Sequence, residues 1–281
     1  MYKHGIVFFS PAGSTRLIAE AIEYHLRLKG CSPFLVDLSR GRQASLEEVQ
    51  TMVGHPCCIW MGSPVYCDHA VPLMHDFIEA LPMATPESYA IPFVTWGGVT
   101  SGLALPEMAR HLRAKNYRPL AAAKILAVHS SMWRTGQPLG QGHPNEADLR
   151  QITILVNKVC DALEQNACTP MDLEVLNYLS PSLRAQAGTK SLAAARAAMS
   201  PLAVNEQVCQ QCGLCAGSCP VAAIELNPFP VISQEACVLC LQCVRTCPHQ
   251  AFPFNCDQVA ARIIAMAANS DEEKSTRVFY S

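Results

Sequence analysis

Two short cysteine-rich runs constrain the fold of this 281-residue chain more than any other feature of its sequence. The first run reads CQQCGLCAGSCP over residues 209–220, and the second reads CVLCLQCVRTCP over residues 237–248. Both have the spacing C-x2-C-x2-C-x3-C-P, and the sequence CPVAAI that ends the first copy aligns with CPHQAF in the second. The chain therefore contains an internal duplication, and each copy presents four closely spaced thiols.

Three kinds of structure use cysteines at such density. A disulfide framework is typical of short secreted chains in an oxidising compartment, whereas this chain has 281 residues and 15 cysteines. Structural zinc usually takes two C-x-x-C pairs from separate loops, which leaves the three evenly spaced cysteines and the fourth before proline unexplained. A [4Fe–4S] cluster fits the spacing, because three thiolates separated by two residues can bind three corners of the cube. We therefore interpret the runs as an iron–sulfur module.

In this spacing the fourth cysteine of each run binds the cluster of the other run. The prediction is two [4Fe–4S] clusters with crossed ligands. The first cluster is assigned Cys209, Cys212, Cys215 and Cys247, and the second Cys237, Cys240, Cys243 and Cys219. The remaining cysteines lack this spacing and are interpreted mostly as small apolar core residues; they are Cys31, Cys57, Cys58, Cys67, Cys160, Cys168 and Cys256.

Ahead of the module, short apolar runs alternate with amphipathic stretches. The runs are GIVFF at 5–9, PFLVDL at 33–38, CCIWMG at 57–62, IPFVTW at 91–96 and KILAVH at 124–129, and the amphipathic stretches lie at about 16–29, 69–80, 102–115 and 145–165. Such alternation is typical of a parallel sheet covered by helices. Five strands predict an α/β fold with a flavodoxin-like, doubly wound sheet of order 2-1-3-4-5, whose ligand crevice lies between strands 1 and 3.

The length of the chain predicts two domains joined by a connector. The expected boundaries are 1–165 for the flavodoxin-like domain, 166–200 for a helical connector, 201–256 for a small α+β ferredoxin-like domain and 257–281 for a C-terminal helix and tail. The connector is rich in leucine and alanine and is punctuated by proline, so it is not a flexible Gly/Ser tether. The charged end SDEEKSTRVFYS is expected to be mobile.

Composition argues against several classes of partner. The formal net charge is −2 and half of the residues are apolar, so the chain has neither a nucleic-acid footprint nor an acidic disordered tail. The beginning MYKHGIVFFSPAG has only a brief apolar run, too short for a secretory signal, and no window reaches a membrane-spanning length. We therefore expect a soluble, reduced, cytoplasmic protein that binds neither nucleic acid nor membrane.

A loop after the first predicted strand suggests an anion site. Residues 10–15 read SPAGST and run directly into an amphipathic stretch, so backbone N–H groups, hydroxyls and the positive end of a helix would converge there. A phosphate group fits this arrangement. An ordinary strand-to-helix turn with Ser10 or Ser14 as the N-cap fits it equally well. The loop matches neither the Walker A motif nor G-x-G-x-x-G.

Two further loops would meet the first one at the crevice. Predicted strand 3 ends in GSPVY at residues 62–66, and strand 4 ends in TWGGVTSG at residues 95–102. Their glycines allow the backbone to approach a flat ligand closely, and Tyr66 and Trp96 could stack on its faces. Each aromatic residue taken alone is typical of half-buried packing. Together the three loops indicate a site for a flat phosphorylated ring, namely FMN.

The chain resembles the flavodoxin/ferredoxin fusion proteins of anaerobic and facultative microbes. The resemblance rests on FFSPAGSTRLIA, MGSPVYCDHAVP, TWGGVTSGLALPEM, GQGHPNEADL and the two cysteine runs. It implies FMN on the first domain, two [4Fe–4S] clusters on the second, and electron transfer between them. By this resemblance, the phosphate is expected on Ser10, Ala12, Gly13, Ser14 and Thr15, and the flavin ring between Ser63, Pro64, Val65 and Tyr66 on one side and Trp96, Gly97 and Gly98 on the other.

The chain departs from the resemblance after Tyr66, where such proteins often have glycine and this chain has Cys67, Asp68 and His69. A cysteine and a histidine beside a flavin could supply a proton or a thiolate to a substrate. Nothing in the sequence orients the pair, so a solvent-facing loop with His69 beginning a helix is the favoured interpretation.

Later in the same domain, the stretch TGQPLGQGHPNEADL is interpreted as a connection to the last helix. Asn145 is expected to cap that helix, with Asp148 completing a capping box. His129 and His143 are expected to be ordinary surface or core residues rather than cofactor contacts.

These features predict an electron-transfer protein that passes electrons between its clusters and FMN and on to partner proteins. The sequence has no second dinucleotide motif for NAD(P)H, so we expect iron–sulfur or flavin proteins as donors and acceptors. The module has Glu206, Glu225 and Glu235 against Arg245, a mildly acidic face that suits a basic partner.

Two alternatives remain at this level. One is an FMN-dependent reductase of a small molecule, such as a quinone, a disulfide or an unsaturated carbonyl, with the clusters as its electron supply. The other is a zinc-stabilised binding module beside a flavodoxin-like domain without flavin. The colour of the purified protein separates this last alternative from the other two.

Overall fold

Apolar runs in the first half of the chain form the strands of one sheet. The computed structural model describes residues 2–40, 46–47, 49–50, 55–199 and 202–281. The strands are β1 (Lys3–Phe8), β2 (Phe34–Asp37), β3 (Cys57–Tyr66), β4 (His69–Ala70), β5 (Tyr89–Trp96), β6 (Arg118–Pro119) and β7 (Ala121–Leu126). The helices beside them are α1 (Ser14–Leu28), α2 (Pro72–Ala80), α3 (Ala104–Ala114) and α4 (Glu146–Glu164).

The main strands are parallel and lie in the order β2-β1-β3-β5-β7. This is the predicted flavodoxin-like order, and the predicted fold class is confirmed. The short β4 pairs with the end of β3, and β6 pairs with the start of β5. The strand order reverses between β1 and β3, so the switch point lies at their carboxyl ends.

Neighbouring residues of each central strand enter different hydrophobic cores. In β1, Val7 packs with the core that includes Phe77 of α2, whereas Ile6 packs with the core that includes Ile22 of α1. All eight residues of β5 are buried. Burial on both faces explains why these strands read as continuous apolar runs rather than as alternating patterns.

Helix α4 begins at the predicted capping box, which is confirmed. The Asn145 side chain accepts hydrogen bonds from the N–H groups of Ala147 at 2.8 Å and Asp148 at 3.1 Å. The Asp148 carboxylate accepts one from the Asn145 N–H at 2.7 Å. Two orphan donors of the first helical turn are therefore satisfied.

The connector and the cysteine-rich module consist of short elements. The connector contains α5 (Pro181–Gly188) and α6 (Leu192–Ala198), and the module contains α7 (Leu214–Gly217), β8 (Ile224–Asn227), β9 (Phe229–Ile232) and α8 (Gln242–Thr246). Leu173, Leu176 and Leu192 of the connector are buried in the core of the first domain, so the connector packs on the sheet domain. Across the described ranges, no helix combines the length and the apolar character that crossing a lipid bilayer requires.

The C-terminal segment contains α9 (Cys256–Ala268) and a further strand, β10 (Arg277–Tyr280). The expectation of a mobile tail is therefore wrong for these last residues. Strand β10 pairs antiparallel with β7 and thereby covers an otherwise open sheet edge. Phe279 is buried and stacks on Tyr178 with ring centroids 4.9 Å apart.

Candidate cofactor sites

Two small cavities in the module are each lined by four cysteines. We call the first the proximal cysteine cavity and the second the distal cysteine cavity. The proximal one is lined by Cys219, Cys237, Cys240 and Cys243, and the distal one by Cys209, Cys212, Cys215 and Cys247. Each cavity draws three cysteines from one run and the fourth from the other, as the crossed assignment requires. The ligation itself stays a prediction.

Among the described residues, no three His, Cys, Asp or Glu side chains converge closely enough to hold one metal ion. A cubane does not require that convergence, because each thiolate binds its own iron. Burial raises the pKa of Cys240 to about 11 and that of Cys243 to about 12. Iron would have to displace these protons when it binds.

The two cysteine loops share one unusual backbone conformation. Residues at equivalent positions of the duplication have positive φ angles: Gln211 at 53° and Leu239 at 56°, Gly213 at 74° and Leu241 at 59°, Ala222 at 49° and Gln250 at 50°. The left-handed region costs a non-glycine residue about 1–2 kcal/mol. Its repetition in both copies indicates that the conformation belongs to the cysteine motif itself and is not peculiar to one loop.

These turns direct backbone N–H groups at the cysteine sulfurs. Gln211 N–H donates to Cys209 Sγ at 3.5 Å, and Leu239 N–H donates to Cys237 Sγ at 3.4 Å. The same repetition links the fourth cysteines, because Ala223 N–H donates to Cys219 Sγ at 3.2 Å and Ala251 N–H to Cys247 Sγ at 3.3 Å. Hydrogen bonds of this kind stabilise thiolates and tune the potential of a cluster.

A larger cavity of about 300 Å³ lies at the carboxyl ends of β1, β3 and β5. We call it the switch-point cavity, and its volume is within the range of small-molecule sites. The predicted flavin residues that line it are Ser10, Ala12, Ser14, Thr15, Pro64, Val65, Tyr66, Trp96 and Gly97. The predicted residues Gly13, Ser63 and Gly98 are not part of its wall.

The loop before α1 combines capping with an exposed helix end. Gly13 takes a φ of 95° as the N-cap and has no side chain with which to cap the helix. Ser10 Oγ accepts a hydrogen bond from Arg16 N–H at 2.9 Å, and the Thr15 and Thr95 hydroxyls share one at 2.8 Å. The N-cap is therefore Gly13 and neither Ser10 nor Ser14, although Ser10 satisfies one N–H group of the first turn from outside the N-cap position. Ser14 lies on the cavity wall beside the positive end of the helix, which favours an anion there.

Two aromatic residues on the cavity wall have buried polar atoms without partners. Among the described residues, neither the Tyr66 hydroxyl nor Trp96 Nε1 has a hydrogen bond. Ser130 lies near the Tyr66 hydroxyl without meeting normal hydrogen-bond geometry, and burial raises the pKa of Tyr66. Orphaned buried polar atoms are uncommon in native proteins. A bound ligand with hydrogen-bonding groups, such as a flavin, would fit both atoms.

Trp96 also has an environment that the sequence did not indicate. Its side chain is 1% exposed, and the Lys124 ammonium lies 4.7 Å from its ring centroid. Lys124 is itself buried and pairs with Glu272 at 2.6 Å. One face of the indole is therefore already occupied, which constrains how Trp96 could contact a flavin.

Gly97 is required by packing against His129. A Cβ at this position would lie 2.7 Å from His129 Cδ2 and 2.9 Å from His129 Cα. His129 lines the switch-point cavity, and burial lowers its pKa to about 4. Because its Nδ1 accepts a hydrogen bond from Ser131 N–H at 3.3 Å, Nε2 carries the proton of the neutral ring. His129 is therefore a largely buried histidine on the cavity wall, and the expectation that it does not contact a cofactor stays a prediction. His143 lies away from the cavity wall, 2.6 Å from Asp148.

The loop after β3 is held by the connector. Cys67 and Asp68 take φ angles of 52° and 69°, and Cys67 lies on the cavity wall. Asp68 pairs with Lys190 at 2.5 Å. Burial raises the pKa of the Cys67 thiol, so this thiol is not activated as a nucleophile.

His69 does not begin a helix and does not face solvent, so that expectation is wrong. It lies in β4, and its Nδ1 is 2.9 Å from the Glu107 carboxylate. Its Nε2 is 3.1 Å from the Ala187 carbonyl and 3.0 Å from that of Lys190. The hydrogen bond with Glu107 raises the pKa of His69. The imidazolium therefore binds the first domain to the connector.

Eleven of the 28 residues that line the switch-point cavity come from elements outside the first domain. The connector contributes Leu192, Ala195 and Met199, the module contributes Val238, Leu239, Leu241 and Phe254, and α9 contributes Val259, Arg262, Ile263 and Met266. One sequence signal could have identified the part of the cavity wall that the module contributes. Where the second cysteine run has Val238, Leu239 and Leu241, the first has Gln210, Gln211 and Gly213. The apolar copy is the one that packs against the sheet domain.

Comparison with known protein families gives a match in the cysteine-rich module. A family model described as a 4Fe-4S dicluster domain matches residues 208–251. Curated protein sequences give no significant match. The chain therefore combines a flavodoxin-like sheet domain with a segment similar to ferredoxin-type dicluster domains.

Solved structures also show similarity. A rubredoxin oxygen:oxidoreductase from Desulfovibrio gigas is 17% identical with a TM-score of 0.48, and the match covers 59% of this chain and 37% of that one. A flavodoxin from the domain Archaea is 20% identical with a TM-score of 0.42, over 57% of this chain and 99% of that one. Flavodoxin 1 from Bacillus cereus is 16% identical with a TM-score of 0.44, over 57% and 97%.

Proposed function

We propose that this protein is an electron-transfer protein that holds FMN in the switch-point cavity and a [4Fe–4S] cluster in each cysteine cavity. One observation supports the proposal above all others. Residues 238–241 line the switch-point cavity on one side and the proximal cysteine cavity on the other. Cofactors in these two cavities would be separated by a few side chains, which is the proximity that electron transfer needs.

The residues present fit both kinds of cofactor. The phosphate of FMN would lie against Ser10, Ser14 and the start of α1, and the ring beside Tyr66 and Trp96. The clusters would be held by the two sets of four cysteines. Bound FMN exchanges one or two electrons, whereas each cluster exchanges one.

The residues around the switch-point cavity would shield a bound ring from water and offer it a hydrogen-bond donor. The wall contributed by the connector, module and α9 is mostly apolar, which lowers the local dielectric constant around a bound ring. Nε2–H of the neutral His129 is a hydrogen-bond donor on the same wall. All 15 cysteines are free, in keeping with a reducing compartment such as the cytoplasm.

The exposed face of the module favours a basic partner protein. Glu206, Glu225 and Glu235 are exposed, whereas Arg245 is directed at the domain interface and donates a hydrogen bond to the Ser130 carbonyl at 2.7 Å. Cys212 of the distal cysteine cavity is exposed. A redox protein with lysines or arginines around its own cofactor would approach this side with complementary charge.

A reductase acting on a small molecule is less well supported. Such an enzyme needs a placed proton donor or nucleophile. The raised pKa of the Cys67 thiol means that it is not an activated nucleophile, and both nitrogens of His69 are engaged away from the cavity. Of the cysteine and histidine side chains in this part of the site, only the neutral His129 presents an N–H hydrogen-bond donor on the cavity wall. Steady-state turnover of a quinone or a disulfide without any protein acceptor would favour this second function.

The test is anaerobic purification with quantification of iron, sulfide, zinc and FMN, followed by stopped-flow reduction of the loaded protein. We expect iron and sulfide for two cubanes, about one FMN per chain, and reduction of the flavin after reduction of the clusters. Zinc bound in place of iron, together with absence of FMN, would contradict the proposal.

A further inference from the structure

We propose that FMN binding is coupled to assembly of the cluster in the proximal cysteine cavity through the segment Val238–Leu241, and is independent of the distal cluster. The inference rests on the proposed function, because it requires that both cofactors bind. It goes beyond that function by making the flavin site conditional on one set of four cysteines. The protein would then hold FMN firmly only when the adjacent cluster is present.

The two cavities share a wall. Val238 and Leu241 line both of them, Leu239 lines the switch-point cavity, and Cys240 lines the proximal cysteine cavity. Successive residues of one segment therefore serve different cofactors. A rotation of this segment that moved the Cys240 thiol away from iron would also change the apolar surface presented to the flavin.

The backbone of this shared wall is held in an unfavourable conformation. Leu239 and Leu241 have φ angles of 56° and 59°, which are unfavourable for branched apolar residues. The Leu239 N–H is directed at Cys237 Sγ at 3.4 Å. Ligation of that sulfur would stabilise the left-handed turn, and loss of the cluster would remove this stabilisation.

Tyr66 and Arg245 also connect the two cavities. Tyr66 lines the switch-point cavity, and the side chains of Tyr66 and Cys240 pack against the same hydrophobic core. Arg245 donates to the Ser130 carbonyl on the cavity wall at 2.7 Å. Its guanidinium also lies 4.9 Å from the centroid of Trp133.

The connector supports the same loop from the other side. Arg196 of α6 donates hydrogen bonds to the carbonyls of Glu235 at 2.6 Å and Cys237 at 3.0 Å. The same helix contributes Leu192 and Ala195 to the switch-point cavity. A shift of the Cys237 loop would therefore also be transmitted to the flavin site through α6.

Among the described residues, the distal cysteine cavity is connected to the switch-point cavity only indirectly, through the hydrophobic core that Cys215 shares with Leu241. No residue that lines it also lines the switch-point cavity. Gln210 and Gln211, which occupy the positions equivalent to Val238 and Leu239, are exposed. The duplication thus provides an internal control, because two similar loops differ in their contact with the flavin site.

The experiment compares Cys219→Ala with Cys247→Ala in the full chain, purified anaerobically. The two cysteines are matched, since each is the last of its run and each accepts a backbone N–H four residues on, at 3.2 and 3.3 Å. Neither lines the switch-point cavity. Each variant should lose about half of the iron. FMN affinity is measured from the quenching of flavin fluorescence, and folding is checked by circular dichroism.

We expect Cys219→Ala to bind FMN roughly 5- to 150-fold more weakly, the usual range of coupling between sites. Cys247→Ala should bind FMN within about twofold of the unsubstituted protein, since its cluster lacks contact with the flavin site. Equal affinities in the two variants, or the weaker affinity in Cys247→Ala, would overturn the inference. Absence of FMN binding by the unsubstituted protein would instead refute the proposed function.

A second measurement keeps the inference testable if Cys219→Ala does not fold. Coupling between binding sites is reciprocal, so FMN should protect the proximal cluster. Removal of iron by a chelator is followed in the unsubstituted protein with and without FMN. We expect FMN to slow the loss of about half of the iron and to leave the other half unaffected. Identical time courses would overturn the inference.

Discussion

At the candidate cofactor sites, individual residues matter for the space they leave as much as for the groups they carry. Gly97 illustrates this, because its missing side chain admits the backbone of His129 at the cavity wall. Gly136, in contrast, has nothing within 4 Å of an added Cβ. The sequence alone favoured close approach of a ligand at Gly97, whereas the structure shows close approach of the chain itself.

Replacement of Gly97 with alanine should therefore displace His129. We expect Gly97→Ala to lower the free energy of unfolding by roughly 1–3 kcal/mol, the usual cost of overpacking. FMN binding should also weaken by about tenfold or more, since His129 lines the cavity. Gly136→Ala is the matched control and should be neutral. Urea unfolding and flavin fluorescence measure the two effects, and equal behaviour of the variants would contradict this account.

The charge of His69 should make docking of the connector sensitive to pH. Its pKa is raised, chiefly by the hydrogen bond with Glu107. A histidine whose pKa is raised by folding stabilises the folded state. This stabilisation is fully present when the pH is below the ordinary histidine pKa of about 6.5, and it is lost as the pH rises through the pKa of the folded state. We expect His69→Gln to remove about 1 kcal/mol at pH 6 and progressively less at higher pH.

Thermal unfolding of the two proteins between pH 6 and pH 9 measures this difference. The exposed His55 provides the control, and His55→Gln should follow the unsubstituted protein at every pH. A constant difference between His69→Gln and the unsubstituted protein across the range would show that the histidine acts through packing alone.

Among the elements, the C-terminal segment stabilises the loop that follows β5. Glu272 pairs with the buried Lys124 at 2.6 Å and accepts hydrogen bonds from the Ser101 N–H at 2.7 Å and hydroxyl at 2.5 Å. The Ser101 hydroxyl also lies 2.7 Å from the Tyr178 hydroxyl. This network holds β10 and the loop together at the edge of the sheet.

Removal of one partner should leave a buried, unpaired charge. We expect Glu272→Ala to cost about 3–5 kcal/mol in the free energy of unfolding. The double variant Lys124→Met with Glu272→Leu should recover most of that loss, because neither charge remains. Urea unfolding gives both values. A cost below about 1 kcal/mol for Glu272→Ala would contradict the role assigned to the pair.

Elements with local signals were predictable, and elements that depend on distant partners were not. The capping box at Asn145 and the five apolar strands follow from residues close in sequence. Strand β10 was missed because RVFY is too short to show a period, and its partner β7 is more than 150 residues away. His69 was misplaced for the same reason, since its partner carbonyls lie in the connector.

At the scale of the whole molecule, the feature that matters is the contact between two domains that were each predictable alone. The cysteine spacing predicts the two sets of four cysteines, and the loops at the strand ends predict part of the wall of the switch-point cavity. The remaining wall could not be predicted, because it depends on how the module packs against the sheet. The second cysteine run has the apolar residues Val238 and Leu239 where the first run has glutamines. This difference is the sequence feature that reflects the packing of the module against the sheet.

The central claim is that electrons pass between clusters and flavin within one chain. The most direct measurement reduces the clusters of the fully loaded protein with a flash of light in the absence of oxygen and follows flavin absorbance at several protein concentrations. We predict flavin reduction at a rate independent of concentration, because residues 238–241 separate the two cavities in each molecule. A rate proportional to concentration, or clusters that stay reduced beside an oxidised flavin, would contradict the claim.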